Sequence, residues 1–358
     1  MANNGSLLLE NKGKVQQLLE VLRGRRRVVI LTHNNPDPDS IASAFALKTL
    51  LSQTTKIRSV IAYAGRVARP ENLEMIRLLG IDLKPFRSLK SVSERAIVLV
   101  DVQPGGRNTA LSPRARPAAV IDHHNLRKAS LQCPFHDIRT QYGSCSAILT
   151  EYVQETGVSI NRKLATALYY GIKTDTSDYA RDILSADIKA MQFLFPSVSL
   201  RVLNRIENPR LPREFYITFS RSVENTWIFR DAVVSVLREE VKPDFAAQMA
   251  DTLVRMVGIR WAFVCGPSGP DCIFSLRVTA RGLNAGNLAQ RVAGRVGSGG
   301  GHMHSAGGSV PLAALENAGQ EGPGWQLVRK FLKAIRRDQV QPAPLMIPTD
   351  RPDSKEEK

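Results

Sequence analysis

Two short apolar runs that each end on an aspartate constrain this chain most. Ile97-Val98-Leu99-Val100 runs into Asp101, and Ala118-Ala119-Val120-Ile121 runs into Asp122. Four or five consecutive apolar residues between polar stretches are what a strand buried on both faces looks like. A third such run, 28–31, follows the basic stretch Arg23-Gly24-Arg25-Arg26-Arg27, which reads as a solvated helix end and loop. After it come a turn-rich loop over 34–39 and a helix predicted over 40–51, with Asp39 or Ser40 as its N-cap. A strand over 57–62, a helix over 71–79 that stops at Gly80, and helices over 144–155 and 161–172 continue the alternation. Short strands alternating with helices predict a parallel sheet with helices on both faces. In such sheets ligands bind at the carboxyl ends of the strands.

The chain has 358 residues, enough for two domains with cores of their own. Residues 197–225 are polar and charged, carry Pro209 and Pro212, and read as a linker with helical portions. A second, smaller α/β domain is expected over 226–338. Its strands are read over 227–237, 259–264 and 272–278, with helices over 244–257, 287–296 and 325–336 and a glycine-rich segment over 297–308. The Pro- and charge-rich tail, 339–358, reads as disordered. Lys and Arg outnumber Asp and Glu by 49 to 33, a net +16, which favours a polyanionic partner. No run is long and apolar enough for a membrane span, and the N-terminus lacks the apolar core of a secretory signal. The four cysteines form no C-x-x-C pair, so they read as buried free thiols in a cytoplasmic protein.

Four polar clusters stand where predicted strands or helices end: His33-Asn34-Asn35-Pro36-Asp37-Pro38-Asp39, Asp101, Asp122-His123-His124, and Asp175 in Gly-Ile-Lys-Thr-Asp-Thr. Taken singly, each has an ordinary explanation. A strand-end Asp is usually a cap, and a His-His pair is usually a surface or core feature. Jointly they bring imidazole and carboxylate to one edge of one sheet. That mixture suits a divalent ion such as Mn²⁺, and a pair of such ions can clamp a phosphoryl group.

In this order and spacing, HNNPDPD, VLVD, IDHH and GIKTDT resemble the four motifs of the DHH phosphoesterase superfamily. Gly299-Gly300-Gly301-His302, followed by Ala306-Gly307-Gly308, is similar to the signature of the DHH-associated C-terminal domain. The resemblance implies a catalytic domain over 1–196 and a substrate-binding domain over 226–338. It implies that His33 and Asp37 hold one metal, that Asp39, His123 and Asp175 hold another, and that Asp101 bridges them. Two Mn²⁺ ions are expected, with Mg²⁺ or Co²⁺ as substitutes. Asp122 would orient an imidazole, and His124 would face the substrate phosphate as donor or general acid. Arg277 and the backbone of Gly299, Gly300, Gly301 and His302 would hold a substrate phosphate. Pro38, Ala42 and Ser305 depart from the family pattern without removing a ligand, and Pro38 and Ala42 bear on substrate choice.

Within that superfamily the compact layout most resembles the nanoRNase and pAp phosphatase group. The expected substrates are short oligonucleotides or nucleotide phosphates such as pAp. With 6% aromatic residues, an extended base-stacking platform is not expected. The alternatives are a cyclic-dinucleotide phosphodiesterase, a polyphosphate or pyrophosphate hydrolase, and a non-catalytic nucleotide sensor on the same fold. No membrane partner is expected. The oligomeric state is not legible from the chain, and a homodimer is one option.

Overall fold

The computed structural model describes residues 13–346, apart from 107, 177–182, 280–283, 302 and 316–321. The chain divides into two compact units, Met1–Arg210 and Leu211–Lys358. In the first, the elements run α1 (Lys14–Val21), β1 (Arg27–Asn34), α2 (Pro38–Thr54), β2 (Arg58–Ala64), α3 (Pro70–Leu79), β3 (Leu83–Pro85), β4 (Ala96–Val100), β5 (Ala119–Asp122), β6 (Phe135–Ile138), α4 (Cys145–Thr156), α5 (Arg162–Asp175), α6 (Ser185–Leu194) and α7 (Leu200–Glu207).

The six strands form one all-parallel sheet in the order β3-β2-β1-β4-β5-β6. The order reverses between β1 and β4, and at such a switch point the loops leaving the two strands diverge and open a crevice. Alternate residues of β1 serve opposite faces. Val28 and Ile30 pack with the buried side chains of α2, α4 and α5. Val29 and Leu31 pack on the other face with Leu99, Val120, Leu111 and Phe86, covered by short 3-10 turns and loops. Double burial is why these strands read as unbroken apolar runs. β3 and β6 escape the sequence reading because they are short edge strands, and β6 (Phe-His-Asp-Ile) alternates rather than running apolar.

The second unit contains α8 (Arg213–Glu224), β7 (Thr226–Phe229), β8 (Ala232–Val236), α9 (Pro243–Leu253), β9 (Trp261–Ser268), β10 (Asp271–Val278), α10 (Ala285–Ala293), β11 (Ser298–Gly301), β12 (Ser305–Pro311), α11 (Pro323–Ala334) and β13 (Ala343–Pro344). Its seven-stranded sheet, β11-β12-β10-β9-β8-β7-β13, is antiparallel except between β8 and β9. α10 and α11 pack on one face, and α8 and α9 on the other.

Three expectations need correction. The strand read over 227–237 is a hairpin, because Arg230 takes a left-handed φ of 62° and turns the chain between β7 and β8. The glycine-rich segment, where no strand was read, contains two paired strands. Glycine is required there because α10 lies so close that a Cβ on Gly299 would stand 2.4 Å from the Ala289 carbonyl oxygen. The start of the tail is ordered, since Ala343 and Pro344 pair with Ile228 and Trp227. Residues 1–12 and 347–358 lie outside the described residues, as does His302. Among the described residues no helix is long and apolar enough to cross a membrane. All four cysteines are buried and free.

Candidate metal centre

The centre is built where β1, β4 and β5 end. After β1 the chain turns through Pro36, and Asp37 caps α2 by accepting from Ser40 N at 3.0 Å. The cap thus lies two residues before the expected Asp39. Pro38 is the cause: it lacks an N–H and its φ is already helical, so it starts the helix at no cost. This places Asp39 inside the first turn, 1% exposed. Its carboxylate reaches away from its own helix to accept from Cys145 N at 2.8 Å and Ser146 N at 2.7 Å, at the N-terminus of α4. Ala42 is fully buried where α2 meets α5, and a Cβ added to Gly171 would lie 3.1 Å from it.

Asp101 follows β4 with a φ of 58°, a left-handed conformation uncommon for any residue but glycine. Its two oxygens are divided: Oδ2 lies 3.4 Å from His33 Nε2, and Oδ1 lies 3.4 Å from His123 Nε2. His33 Nε2 is also 3.4 Å from Asp37 Oδ1, and His123 Nε2 is 3.2 Å from Asp175 Oδ2. Among the described residues three groups of donor atoms each lie within 4.8 Å of one another: two separate sets, His33–Asp37–Asp101 and Asp39–His123–Asp175, and a third, Asp101–Asp122–His123–His124, that shares a residue with each. Both imidazoles are turned by backbone carbonyls. His33 Nδ1 lies 2.9 Å from the Asn34 oxygen, and His123 Nδ1 lies 3.3 Å from the Tyr142 oxygen. A carbonyl only accepts, so Nδ1 carries a proton, and Nε2 is the nitrogen turned to the cluster, where it donates while the ring is protonated and offers a lone pair to a cation once it is not.

Electrostatics follow from the crowding. Burial, reinforced by the carboxylates of Asp101 and Asp175, holds Asp39 well above the usual carboxylate range. Burial, with Asp37 and Asp101 adding to it, pushes Asp175 up to about 7. Burial alone would lower His33 and His123, but the adjoining carboxylates raise both well above the ordinary histidine value. Asp101 is held low against its burial by hydrogen bonds and charge from His123 and His33. Without a cation, the cluster retains protons to offset its negative charge.

Beside these sets, His124 Nδ1 lies 2.8 Å from Asp122 Oδ1 and 3.6 Å from Asp101 Oδ1. Asp122 is in turn held by a residue that the sequence reading missed. Gln103 is 3% exposed, and its Nε2 donates to Asp122 Oδ2 at 2.7 Å and to the Asn125 oxygen at 3.1 Å. Its Oε1 accepts from Arg127 N at 2.7 Å and Ser130 Oγ at 2.8 Å, so the amide is fully used. A glutamine three positions after a strand carries no periodic signal, and its partners lie 19 to 27 residues downstream.

In the second unit, Arg277 on β10 is 8% exposed. Its guanidinium is ion-paired with Asp251 and donates to Ser275 Oγ and the Leu276 oxygen, both at 2.9 Å. Ser275, Gly307 and Gly300 stand opposite one another across β10, β12 and β11, and Arg277 lies two residues along the same face. A Cβ on Gly300 would meet nothing within 4 Å. Gly299 and Gly301 point the other way, toward α10 and the β11–β12 connection.

Residues 27–172 match the model of the DHH family N-terminal domain, and residues 230–337 match the DHHA1 domain. An uncharacterized protein of Methanocaldococcus jannaschii is 32% identical over 331 residues, 92% of this chain and 67% of that protein. The cyclic-di-AMP phosphodiesterase PdeA of Listeria monocytogenes is 26% identical, over 81% of this chain and 46% of its own length. A probable manganese-dependent inorganic pyrophosphatase of Streptococcus mutans is 26% identical over 42% of this chain and 48% of its own. The chain therefore spans about two thirds of the first relative and about half of the other two. An exopolyphosphatase-related protein from Bacteroides fragilis shares the fold, with a TM-score of 0.71 at 16% identity over 90% of this chain and 95% of that one. This chain belongs to the DHH family of phosphoesterases and carries both a DHH and a DHHA1 domain.

Proposed function

We propose that this DHH-family phosphoesterase hydrolyses phosphate ester bonds in short oligonucleotides or nucleotide phosphates such as pAp, with two divalent ions held by His33, Asp37, Asp39, Asp101, His123 and Asp175. The observation that carries the reading is Asp101. Its Oδ1 is buried and held only by long contacts, 3.4 Å to His123 Nε2 and 3.6 Å to His124 Nδ1, and its backbone is in a left-handed conformation. A buried carboxylate with such weak partners is costly, and strained backbone concentrates at functional sites. A cation between Asp101 and each neighbouring imidazole would remove the cost. Four carboxylates, Asp37, Asp39, Asp101 and Asp175, carry four negative charges when ionised, and two divalent ions balance them. The mixed nitrogen and oxygen donors suit Mn²⁺, with Mg²⁺ or Co²⁺ as substitutes.

Such ions supply polarisation of the phosphoryl group and a lowered pKa for the attacking water. The chain's own residues orient the rest. The Asn34 and Tyr142 carbonyls keep Nε2 of His33 and His123 turned inward. Gln103 fixes Asp122, and Asp122 accepts from Nδ1 of His124 and favours the doubly protonated ring, whose Nε2–H would give its proton to the leaving oxygen. In the second unit we assign phosphate binding to Arg277 and the strand Gly299-Gly300-Gly301, where the Gly300 face leaves the backbone open to an anion. Arg277→Ala should raise KM for a nucleotide substrate roughly tenfold or more, with kcat little changed, since a charge-assisted contact is worth about 1.5–3 kcal/mol. An unchanged KM would restrict Arg277 to its ion pair with Asp251.

The small nucleotide is favoured over pyrophosphate because the similarity to the cyclic-di-AMP phosphodiesterase runs through both domains, over 81% of the chain, while that to the pyrophosphatase stops at 42%. Short linear oligonucleotides, pAp and cyclic di-AMP are the substrates to compare. A panel of di- to pentaribonucleotides, pAp, cyclic di-AMP, pyrophosphate and polyphosphate, assayed with Mn²⁺, tests this. Turnover of at least one nucleotide, abolished by chelation and dialysis and restored by Mn²⁺, is the expected result. Turnover of pyrophosphate or polyphosphate alone would overturn the substrate class, and full activity after chelation would overturn the metal centre.

A further inference from the structure

The two donor sets are supported in different ways. His33, Asp37 and Asp101 are oriented by their own neighbourhood. His33 is held by the carbonyl of the next residue, Asp37 by the helix that it caps, and Asp101 by its own backbone conformation. The other set leans on one remote segment, 142–146, which leads from the loop after β6 into the first turn of α4. The Tyr142 carbonyl accepts from His123 Nδ1 at 3.3 Å, and Cys145 N and Ser146 N hold both oxygens of Asp39. The same segment abuts the chain just past Asp175, for a Cβ on Gly143 would lie 3.1 Å from Thr176 Cγ2. Thus all three members of that set touch 142–146 or have a neighbour that does.

The segment is itself clamped from two sides. On one, the Tyr142 hydroxyl donates to Glu151 at 2.5 Å and accepts from Arg139 Nη1 at 3.0 Å, while Arg139 is ion-paired with buried Asp137. On the other stands Asp187 of α6, which is fully buried. Its Oδ2 accepts from Gly143 N at 2.8 Å and Leu184 N at 3.2 Å, and its Oδ1 accepts from Ser144 Oγ at 3.1 Å. Ser144 Oγ in turn accepts from Ala147 N and caps α4. A Cβ at position 143 would stand 2.6 Å from Asp187 Oδ2, so any larger residue there displaces that carboxylate. No periodicity or motif marks Asp187, and it lies outside the donor cluster.

We infer that Asp187 is a positioning residue for the Asp39–His123–Asp175 metal set alone, acting through the 142–146 segment. The inference rests on the two-metal reading above. Removing the carboxylate leaves Gly143 N and Ser144 Oγ without their acceptor. The segment then relaxes, and the Tyr142 carbonyl and the Cys145 and Ser146 amides lose register with His123 and Asp39. His33, Asp37 and Asp101 keep every support described for them.

The test is Mn²⁺ titration of the full chain by calorimetry, with bound metal counted after gel filtration. Wild type should show two binding steps. Asp187→Ala and Gly143→Ala should each weaken one step about 10–100-fold, the usual cost of losing an outer support of a metal ligand, and leave the other within about twofold. Both should reproduce the isotherm of Asp175→Ala and not that of His33→Ala. Asp187→Asn, which keeps one acceptor oxygen and the volume, should lie closer to wild type. Should Asp187→Ala fail to fold, Gly143→Ala and Asp187→Asn carry the comparison. Two unaltered steps in Gly143→Ala, or equal weakening of both steps in a protein whose apo melting temperature is unchanged, would overturn the inference. A wild-type chain that binds no Mn²⁺ would overturn the two-metal reading instead.

Discussion

Asp101→Asn should abolish turnover and cut bound metal from two ions to one. Asparagine is the informative replacement because it tolerates the left-handed backbone at this position, where φ is 58°, so strain does not confuse the result. The carboxylate places one oxygen 3.4 Å from His33 Nε2 and the other 3.4 Å from His123 Nε2. An amide supplies one neutral oxygen in place of two charged ones. Two divalent ions at the ~4 Å separation typical of two-metal sites would repel by about 4 kcal/mol even at the dielectric constant of water. Without the bridging charge, that repulsion weakens the second ion by about a thousandfold. Metal analysis and kinetics on the same preparation decide the matter. A variant that holds two ions and turns over normally would remove Asp101 from the bridging position.

His124→Ala should lower kcat about 10²–10⁴-fold, the usual contribution of a positioned proton donor, while bound metal stays at the wild-type level. The separation is expected because Nδ1 of His124 is engaged by Asp122 Oδ1 at 2.8 Å, whereas the ring nitrogens of His33 and His123 that enter the two sets are both Nε2. Asp122→Asn should reproduce part of the loss, since an amide facing Nδ1 no longer selects one tautomer. Metal lost in proportion to activity would make His124 a ligand, a role its 3.6 Å approach to Asp101 Oδ1 leaves geometrically open.

Much of the first unit was legible because its strands are buried on both faces. β1, β4 and β5 each read as a run of apolar residues that stops at a polar one, and the stop marks the carboxyl edge of the sheet. The imidazole and carboxylate residues proposed as donors were read from their places at those strand and helix ends. What failed to show were elements whose sequence preference is overruled by tertiary packing. The strand Ser298–Gly301 consists almost wholly of glycine, a poor strand former, and it exists because α10 presses against it. The cap of α2 was misplaced because Asp37, Asp39 and Ser40 are all good caps, and Pro38 decides among them.

The sequence by itself determined that six imidazole and carboxylate side chains follow strands or helices of one parallel sheet, because periodicity and strand ends are local properties of the chain. Only the tertiary structure decided how they divide. The split of Asp101's oxygens between His33 and His123, the capture of Asp39 by amides 106 and 107 residues away, and the support of Tyr142–Ser146 by Asp187 all join residues far apart in sequence. Such pairings leave no local pattern, because each is set by how the helices pack on the sheet and not by what stands next to it in the chain. The same holds for Arg277, whose charge reads as a phosphate grip and whose fold gives it Asp251 as a partner. Residue type is a property of the chain, but a side chain's partner depends on which elements the fold brings beside it.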